Sequence, residues 1–343
     1  MCKRIEYFDI INLMKKMYKP PFTITNKMLN YSISISQKIE RISSFCSLKR
    51  MPTLRRNNRI KSIHSSLAIE ANSLSLDEVK DVIDGKIVIG PQIEINEVKD
   101  AFNAYEIIEE YDAYNEDDLL KAHRLIASST DKENGIYRNH AEGVVDEFGN
   151  VIHLAPSEKM VPSLMKDLFF WLKNDEDTPL LIKSCIFHYE FVFIHPFGDG
   201  NGRTARLWEN VILMKRNKLF EYIPIESEIL KNQTEYYSAI AESNNAGNSN
   251  AFIEFMLKMI DKTMDEVLKE TNQETKNISE QVNKLLKVMK KGVPLSANEI
   301  MKRLRIKSKE TLRGSYLNPT IENGLVKRTI PDKPNSKNQK YYI

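Results

Sequence analysis

The chain has 343 residues, of which 41% are hydrophobic and 28% charged, a composition that excludes an intrinsically disordered protein. Its three cysteines (Cys2, Cys46 and Cys185) have no CxxC or metal-ligand spacing, which favours a reducing compartment. No apolar run reaches the ~18 residues of a membrane span, and the charged N-terminus lacks a signal-peptide core, so we expect a cytoplasmic protein without a membrane partner.

The net charge of +3 is unevenly distributed. Residues Ser279–Ile343 contain 15 Lys/Arg and 5 Asp/Glu, a balance of +10, so the rest of the chain carries 3 − 10 = −7. A basic C-terminal region on an acidic body predicts a separate module with its own partner.

Apolar residues spaced three and four apart predict a mainly α protein. The exception is Val144–Leu154, where β-branched residues flank the turn signal Phe148–Asn150 and predict a short hairpin. The predicted helical segments lie at residues 26–45, 55–72, 95–114, 116–129, 159–174, 179–194, 202–217, 232–243 and 250–270.

The polar segment Thr271–Ile278 predicts a linker. Beyond it, Ser296 and Glu299 have the spacing of a capping box at a helix start, and a second helix and a terminal hairpin follow. This order is typical of a winged-helix domain. We therefore predict four regions: an N-terminal helical region (1–100), a helical core (101–270), the linker (271–278) and a winged-helix domain (279–343).

The segment Phe193–Trp208, FIHPFGDGNGRTARLW, concentrates three glycines with groups that bind phosphate. His195 ends an apolar helix at Pro196, where it is a candidate general base. The next helix begins after the glycines, and its free N–H groups favour an anion.

Three charged side chains complete this pattern. Arg203 and Arg206 are spaced i, i+3 and can reach one polyphosphate, while Asp199 can hold Mg²⁺ through one oxygen. A histidine at a helix end is more often structural, and a glycine cluster alone is a weak signal. The residues by themselves therefore indicate phosphate binding and leave catalysis open.

The stretch HPFGDGNGRTAR resembles the Fic family pattern HxFx(D/E)GNGRxxR at every defined position, and the resemblance extends from about Pro20 to Lys262. It implies a mainly α Fic core with a hairpin flap, and transfer of AMP from ATP to a Tyr, Thr or Ser hydroxyl of another protein. It also implies that His195 acts as the base and that Asp199 holds Mg²⁺.

The remaining roles carried over from the family concern the nucleotide. Gly202 matches AMP transferases, because relatives that transfer phosphate have a lysine there. The implied ATP contacts are an anion hole formed by Asn201 and the N–H groups of Gly200 and Gly202, the β-phosphate at Arg203, the γ-phosphate at Arg206, and the adenosine near Tyr237 and Asn245.

The segment SSLAIEAN at Ser65–Asn72 resembles the family's inhibitory helix, (S/T)xxxE(G/N), and places that helix at about residues 56–72. Ser66 and Glu70 match, while Ala71 replaces the expected Gly or Asn. The resemblance implies that Glu70 pairs with Arg206 and occupies the γ-phosphate position. An ordinary amphipathic helix is the alternative.

Several partners and activities stay open at this stage. The resemblance implies that a target protein docks on the hairpin 144–154, and self-modification is an alternative. The basic domain could bind DNA, and a homodimer is also compatible with the sequence. The competing functions are a DNA-binding regulator with a nucleotide-sensing core, and a Fic enzyme that transfers phosphate or UMP or removes AMP.

Overall fold

A computed structural model describes residues 18–45, 52–145, 151–290, 292–322, 325–334 and 336–343. The chain divides into two compact units, Met1–Val267 and Leu268–Ile343. The helices that begin in the first unit are α1 (Asn26–Phe45), α2 (Pro52–Ile69), α3 (Leu76–Ile83), α4 (Gln92–Glu106), α5 (Glu116–Ile126), α6 (Val161–Asn174), α7 (Leu180–Ile194), α8 (Asn201–Arg216), α9 (Ile225–Lys231), α10 (Gln233–Ala246) and α11 (Asn250–Val288).

The centre of the first unit is the pair α7 and α8. Helix α7 is apolar around most of its circumference, and 12 of its 15 residues are buried. A helix that is hydrophobic on all sides must be surrounded by other elements. Helix α8 lies against α7 and buries Leu207, Trp208 and Ile212 completely. The loop that joins these two helices, residues 195–200, is therefore held by the most buried part of the fold.

The predicted hairpin is present. Strands β1 (Gly143–Val145) and β2 (Val151–Leu154) pair antiparallel, with Gly143 opposite Leu154 and an irregularity after Val144. The predicted turn at Phe148–Asn150 lies outside the described residues.

The predicted linker at Thr271–Ile278 is helical, because α11 continues without interruption from Asn250 to Val288. The polar residues of this stretch include the good helix formers Gln, Glu and Lys, and no Gly or Pro occurs between the two ends of α11. The polar composition of this stretch therefore belongs to a helix and not to a loop. The division between the two units, after Val267, falls close to the predicted linker.

The second unit has the predicted order of elements. Strand β3 (Leu295–Ser296) leads into α12 (Ala297–Leu304), and Ser296 and Glu299 form the predicted capping box. The next helix consists of α13 (Lys309–Thr311), a π-helical turn (Leu312–Leu317) and α14 (Asn318–Glu322). Strands β4 (Lys327–Arg328) and β5 (Lys340–Tyr342) form the terminal hairpin.

A third strand was not predicted: β3 joins the hairpin, and the sheet order is β3-β5-β4. The unit has its own hydrophobic core, which contains Leu285, Leu295, Ile300, Leu312 and Tyr341. Among the helices of the described ranges, none is both long enough and apolar enough to cross a bilayer.

Candidate active site

His195 lies directly after the last residue of α7. Its backbone has φ 51° and ψ 61°, in the left-handed region that few non-glycine residues adopt. The N–H of His195 still donates to the Phe191 carbonyl at 2.9 Å, so the helix ends in a single tight turn. A left-handed conformation at a non-glycine residue is a form of strain that clusters at functional sites.

Arg138 holds the backbone at this turn. It is 3% exposed, and its Nε donates to the carbonyl of His195 at 2.7 Å. Its other nitrogens donate to the carbonyls of His140 and Pro156 at 2.8 and 2.5 Å. One guanidinium therefore joins the end of α7 to the segments on both sides of the hairpin. This role of Arg138 was not predicted from the sequence.

The loop after His195 is closed by Asn201. Its Oδ1 accepts from the N–H of Phe197 at 3.0 Å, and its Nδ2 donates to the carbonyl of the same residue at 2.8 Å. Both polar atoms of the side chain therefore serve the loop. An anion hole here would consist of the backbone N–H groups at the start of α8, and Asn201 would shape it without pointing at the anion.

His123, on α5, holds this loop by a hydrogen bond and by ring stacking. Its Nδ1 accepts from the N–H of Gly135 at 2.8 Å, so Nε2 carries the proton and donates to the Asp199 carbonyl at 2.8 Å. The imidazole stacks on the Phe197 ring with centroids 3.5 Å apart. Burial lowers the pKa of His123 to about 4, which keeps the ring neutral. Sequence spacing gave no signal for this residue, because its partners are distant in the chain.

Gly200 and Gly202 both have a steric reason to be glycine. Gly200 caps α8 at φ 75°, a conformation that a side chain would strain. A Cβ at Gly202 would lie 2.2 Å from Glu70 Oε1. The first turn of α8 can therefore be approached closely by a carboxylate or a phosphate.

Arg203 is held between two carboxylates. Its Nη2 lies 2.7 Å from Asp199 Oδ2, and its Nη1 lies 3.2 Å from Glu97 Oε1. Burial would raise the pKa of Asp199, but the charge of Arg203 and a hydrogen bond from Thr130 bring it below its usual value. The Asp199 side chain is 48% exposed, so an ionised carboxylate oxygen is accessible at the loop surface.

Arg206 is almost completely buried, with 1% of its side chain exposed. Its Nε donates to Ser66 Oγ at 3.0 Å, and its Nη2 donates to the Ser66 carbonyl and to Glu70 Oε1, each at 2.8 Å. Burial lowers the pKa of Arg206, but Glu70 more than reverses this and the pKa is raised. Glu70 and Arg206 thus form the ion pair that the resemblance implies, and Ser66 adds a contact from α2 that was not predicted.

One nitrogen of Arg206 has no protein partner. Its Nη1 is buried and makes no hydrogen bond to any described residue, and it lies 3.1 Å from the place of a Cβ at Gly202. A buried guanidinium donor without an acceptor is costly. An anionic oxygen above the first turn of α8 would satisfy it.

The end of α2 is a Schellman motif. The N–H of Asn72 donates to the Leu67 carbonyl at 3.2 Å, and that of Ala71 donates to the Ala68 carbonyl at 3.1 Å. Ala71 has φ 66°, the left-handed conformation in which glycine is usual. Ala71, which replaces the Gly or Asn of the family pattern, is therefore the residue that ends α2 next to Glu70.

A cavity of about 200 Å³ lies against this loop. Its wall includes His195, Gly202 and Glu70, together with residues of α10. Tyr237 lines the cavity and donates to the Ile69 carbonyl at 3.3 Å. The structure thus brings the histidine, the glycine turn, the glutamate and the predicted tyrosine to one opening.

Asn245, which the resemblance places near the adenosine, does not line this cavity. Asn244 lies in the wall, and its Oδ1 accepts from Tyr189 at 2.8 Å. Asn244 is seven residues after Tyr237, two helical turns on the same face, whereas the next residue is rotated away. Asn245 is exposed.

Comparison with known proteins agrees with this geometry. The Fic/DOC family model matches residues 113–213, and the model described as "Filamentation induced by cAMP protein Fic-like, C-terminal domain" matches residues 280–343. The crystal structure of a Fic family protein from Desulfovibrio desulfuricans is 41% identical, and the match covers 95% of this chain and 98% of that chain with a TM-score of 0.71. The chain belongs to the Fic family.

Other Fic proteins are similar over shorter stretches. A Fic domain containing signaling protein from Bacteroides thetaiotaomicron shares the fold at 20% identity, covering 70% of this chain and 97% of that one with a TM-score of 0.59. Protein adenylyltransferase fic-1 of Caenorhabditis elegans is 30% identical over 246 residues, which cover 68% of this chain and 46% of that protein. Protein adenylyltransferase Fic of Nematostella vectensis is 29% identical, covering 61% and 48%. The chain spans about half the length of these curated relatives.

Proposed function

We propose that this Fic protein is a protein adenylyltransferase, which moves AMP from ATP to a hydroxyl of a target protein. The observation that carries the proposal is the shared opening: His195, the first turn of α8 and the cavity wall of α10 meet there. The unpartnered Nη1 of Arg206 adds a buried cationic donor at the same turn. The relatives named protein adenylyltransferase support the same activity.

The proposed step uses the groups of this loop in sequence. An imidazole nitrogen of His195 accepts the proton of a Tyr, Thr or Ser hydroxyl. The hydroxyl oxygen bonds to the α-phosphorus of ATP, the bond from that phosphorus to the bridging oxygen breaks, and pyrophosphate leaves. Backbone N–H groups at the start of α8 stabilise the charge on the transferring group, since fixed donors are the main source of catalysis in such transfers.

The cationic side chains would bind the leaving pyrophosphate, Arg203 at the β-phosphate and Arg206 at the γ-phosphate. Mg²⁺ would neutralise charge on the phosphates when bound. It usually takes one or two protein carboxylates together with phosphate oxygens and water. Asp199 fits this need, because its carboxylate is half-exposed and its pKa is held below the usual value.

Target docking on the hairpin follows from its architecture. A two-stranded sheet leaves one edge of each strand without a β-partner. An extended target segment added to β1 or β2 would be held by backbone hydrogen bonds, which are independent of target sequence. Arg138 would keep the hairpin base fixed relative to His195 through its three carbonyl contacts.

We further propose that Glu70 restrains the enzyme. Its carboxylate pairs with Arg206 at 2.8 Å, where the γ-phosphate would bind, and it occupies the space above Gly202. ATP would have to displace this carboxylate before its phosphates reach the loop in the reactive arrangement. The 37% exposure of the Glu70 side chain leaves room for such a movement.

The decisive experiment uses ATP labelled at the α- or the γ-phosphate. Transfer of label to protein from the α position alone, abolished in His195→Ala, is the expected result. Transfer from the γ position would show a kinase and refute the proposal. UTP labelled at the α position, tested in parallel, separates AMP transfer from UMP transfer.

A second candidate function concerns the C-terminal unit, for which we propose a winged-helix architecture. The order β3, α12, the helix from Lys309 to Glu322, and the β4–β5 hairpin supports this assignment. Its charge of +10 over Ser279–Ile343 favours binding of a nucleic acid. Binding of labelled duplex that is lost on removal of residues 279–343 would test it.

A further inference from the structure

The C-terminal unit contains a cleft that is positively charged on both sides. Its volume is about 380 Å³, and it is lined by the first turn of α12, the start of the helix at Lys309, and Pro334, Ser336, Lys337 and Gln339. Lys309 and Arg313 contribute from the helix and Lys337 from the segment before β5. The eleven lining residues include no carboxylate.

These three cations are available for a ligand. Each is exposed, and none forms an ion pair with a carboxylate of the described part of the unit. By contrast, Lys284, outside the cleft, has Glu280 at 3.8 Å. The carboxylate of Glu299, in the first turn of α12, accepts hydrogen bonds from the N–H and the hydroxyl of Ser296. Among the described residues, the three cations of the cleft therefore have no carboxylate oxygen within 4 Å.

The N-terminus of helix α12 also lines the cleft. Ala297 and Asn298 line it and are the first two residues of α12. The first N–H groups of an α-helix have no intrahelical acceptor, and the positive end of the helix dipole lies there. This helix N-terminus, together with three cations on the walls, is a suitable arrangement for a phosphate group.

The helix that carries Arg313 is unusual at the next position. Gly314 lies inside the π-helical turn Leu312–Leu317, and an added Cβ there would meet no atom within 4 Å. Glycine inside a helix costs about 1 kcal/mol relative to alanine, and no packing contact requires it here. A bare backbone beside an exposed arginine permits close approach of another macromolecule.

We propose that this cleft binds the phosphate backbone of a nucleic-acid duplex. A polyanion is favoured over a single phosphate because exposed cations continue beyond the cleft on the same unit. They are Lys302, Arg305, Lys307 and Lys333. A duplex is favoured over a single strand because single strands bind by stacking on aromatic rings, and the one ring in the cleft wall, Tyr341, is 5% exposed. The proposal extends the winged-helix assignment and is independent of AMP transfer.

The test is fluorescence anisotropy of the full chain with a labelled duplex of about 30 base pairs, as DNA and as RNA, at several KCl concentrations. We expect the logarithm of affinity to fall with the logarithm of salt with a slope of about −3 or steeper, since the three cleft cations contribute about −0.9 each and the exposed cations beyond the cleft add to this. Lys309→Ala, Arg313→Ala and Lys337→Ala should each weaken binding several-fold and reduce the slope by about 1. The DNA and RNA arms identify which duplex is bound.

The controls separate this cleft from general basicity. Lys284→Ala removes the same charge outside the cleft and should bind like the parent protein. His195→Ala should bind duplex unchanged even though it cannot transfer AMP. Equal weakening by Lys284→Ala, unchanged binding by the triple cleft variant with an unaltered melting temperature, or tighter binding to anionic vesicles or an acidic peptide than to either duplex would overturn the proposal.

Discussion

Asn72 and Arg203 are joined through one carboxylate. Glu97 accepts a hydrogen bond from Asn72 Nδ2 at 2.8 Å with one oxygen and pairs with Arg203 Nη1 at 3.2 Å with the other. Asn72 belongs to the Schellman motif that ends α2 beside Glu70, and Arg203 lies in the first turn of α8. The end of α2 is thus connected to α8 twice: by Glu70 to Arg206, and through Glu97 to Arg203.

The second connection predicts that Asn72→Ala loosens the restraint. The Asn72 side chain makes three hydrogen bonds, to Glu97, to the Glu94 carbonyl and from the Leu74 N–H, and only the one to Glu97 leads to Arg203. Loss of that bond costs about 1 kcal/mol, which corresponds to about a fivefold shift in population toward a displaced Glu70. We expect basal α-phosphate labelling to rise by about that factor. Combined with Glu70→Gly, the substitution should have no further effect. An equal increase in both backgrounds would mean that Asn72 acts on the loop directly.

Glu70→Gly should raise ATP-dependent labelling and tighten ATP binding. The substitution removes the carboxylate from Arg206 and clears the space above Gly202. A gain of at least tenfold is expected, because a charge-assisted pair of about 1.5–3 kcal/mol no longer competes with the nucleotide. Labelling of a fixed target and calorimetric titration with ATP measure the two effects. If neither changes, Glu70 has a structural role; Glu70→Gly combined with Arg206→Ala should be inactive.

The catalytic loop was predictable because its residues are contiguous in sequence. The order of a histidine, glycines and two arginines predicted the helix break, which is observed at His195, and the anion site, which stays a prediction. The roles of His123, Arg138 and Glu97 at this loop were not predictable from the sequence. Each residue comes from a different segment of the chain, and no regular spacing relates it to the loop. The helical conformation of Thr271–Ile278 was not predictable for a related reason: a polar stretch without Gly or Pro can form a helix as readily as a loop.

Substitutions in α10 can test which of its two adjacent asparagines, Asn244 or Asn245, contacts ATP. Asn244→Ala removes a polar group that lines the cavity, and we expect ATP to bind about fivefold more weakly, the value of one hydrogen bond of about 1 kcal/mol. Asn245→Ala is the matched control, because that residue is exposed and outside the wall. Calorimetric titration of both variants with ATP measures the difference. If Asn245→Ala weakened ATP binding and Asn244→Ala did not, the prediction made for Asn245 from the sequence would hold.

Ala71→Gly should stabilise the end of α2. The left-handed conformation costs an alanine about 1–2 kcal/mol, and the greater freedom of glycine in the unfolded chain offsets about 0.4–1 kcal/mol of the gain. A net increase of about 0.5–1 kcal/mol in the free energy of unfolding is expected, with lower basal labelling because Glu70 is held more firmly. Ala68→Gly, within the same helix, should instead lose about 1 kcal/mol. Urea unfolding of the three proteins decides between these outcomes.

Because Glu226 is a buried carboxyl group, we expect it to make the free energy of unfolding depend on pH. It is buried and accepts hydrogen bonds from Ser62, Tyr105 and Asn210 at 2.8, 2.9 and 2.9 Å. Burial raises the pKa of Glu226 above its usual value near 4.5 despite these donors. The folded state therefore binds the proton more tightly than the unfolded chain. The resulting stabilisation is complete below the unfolded pKa and is lost as pH rises through the folded pKa.

Glu226→Gln removes this ionisation while keeping an acceptor for Tyr105 and Asn210. We expect the variant to gain stability relative to the parent as pH rises from 5 to 8, by about 1 kcal/mol at the upper end. Urea unfolding across this range measures the difference, and Glu235→Gln on the exposed face of α10 is the control. A loss of stability that is the same at every pH would show that the hydrogen bonds of the carboxylate outweigh the cost of burying its charge.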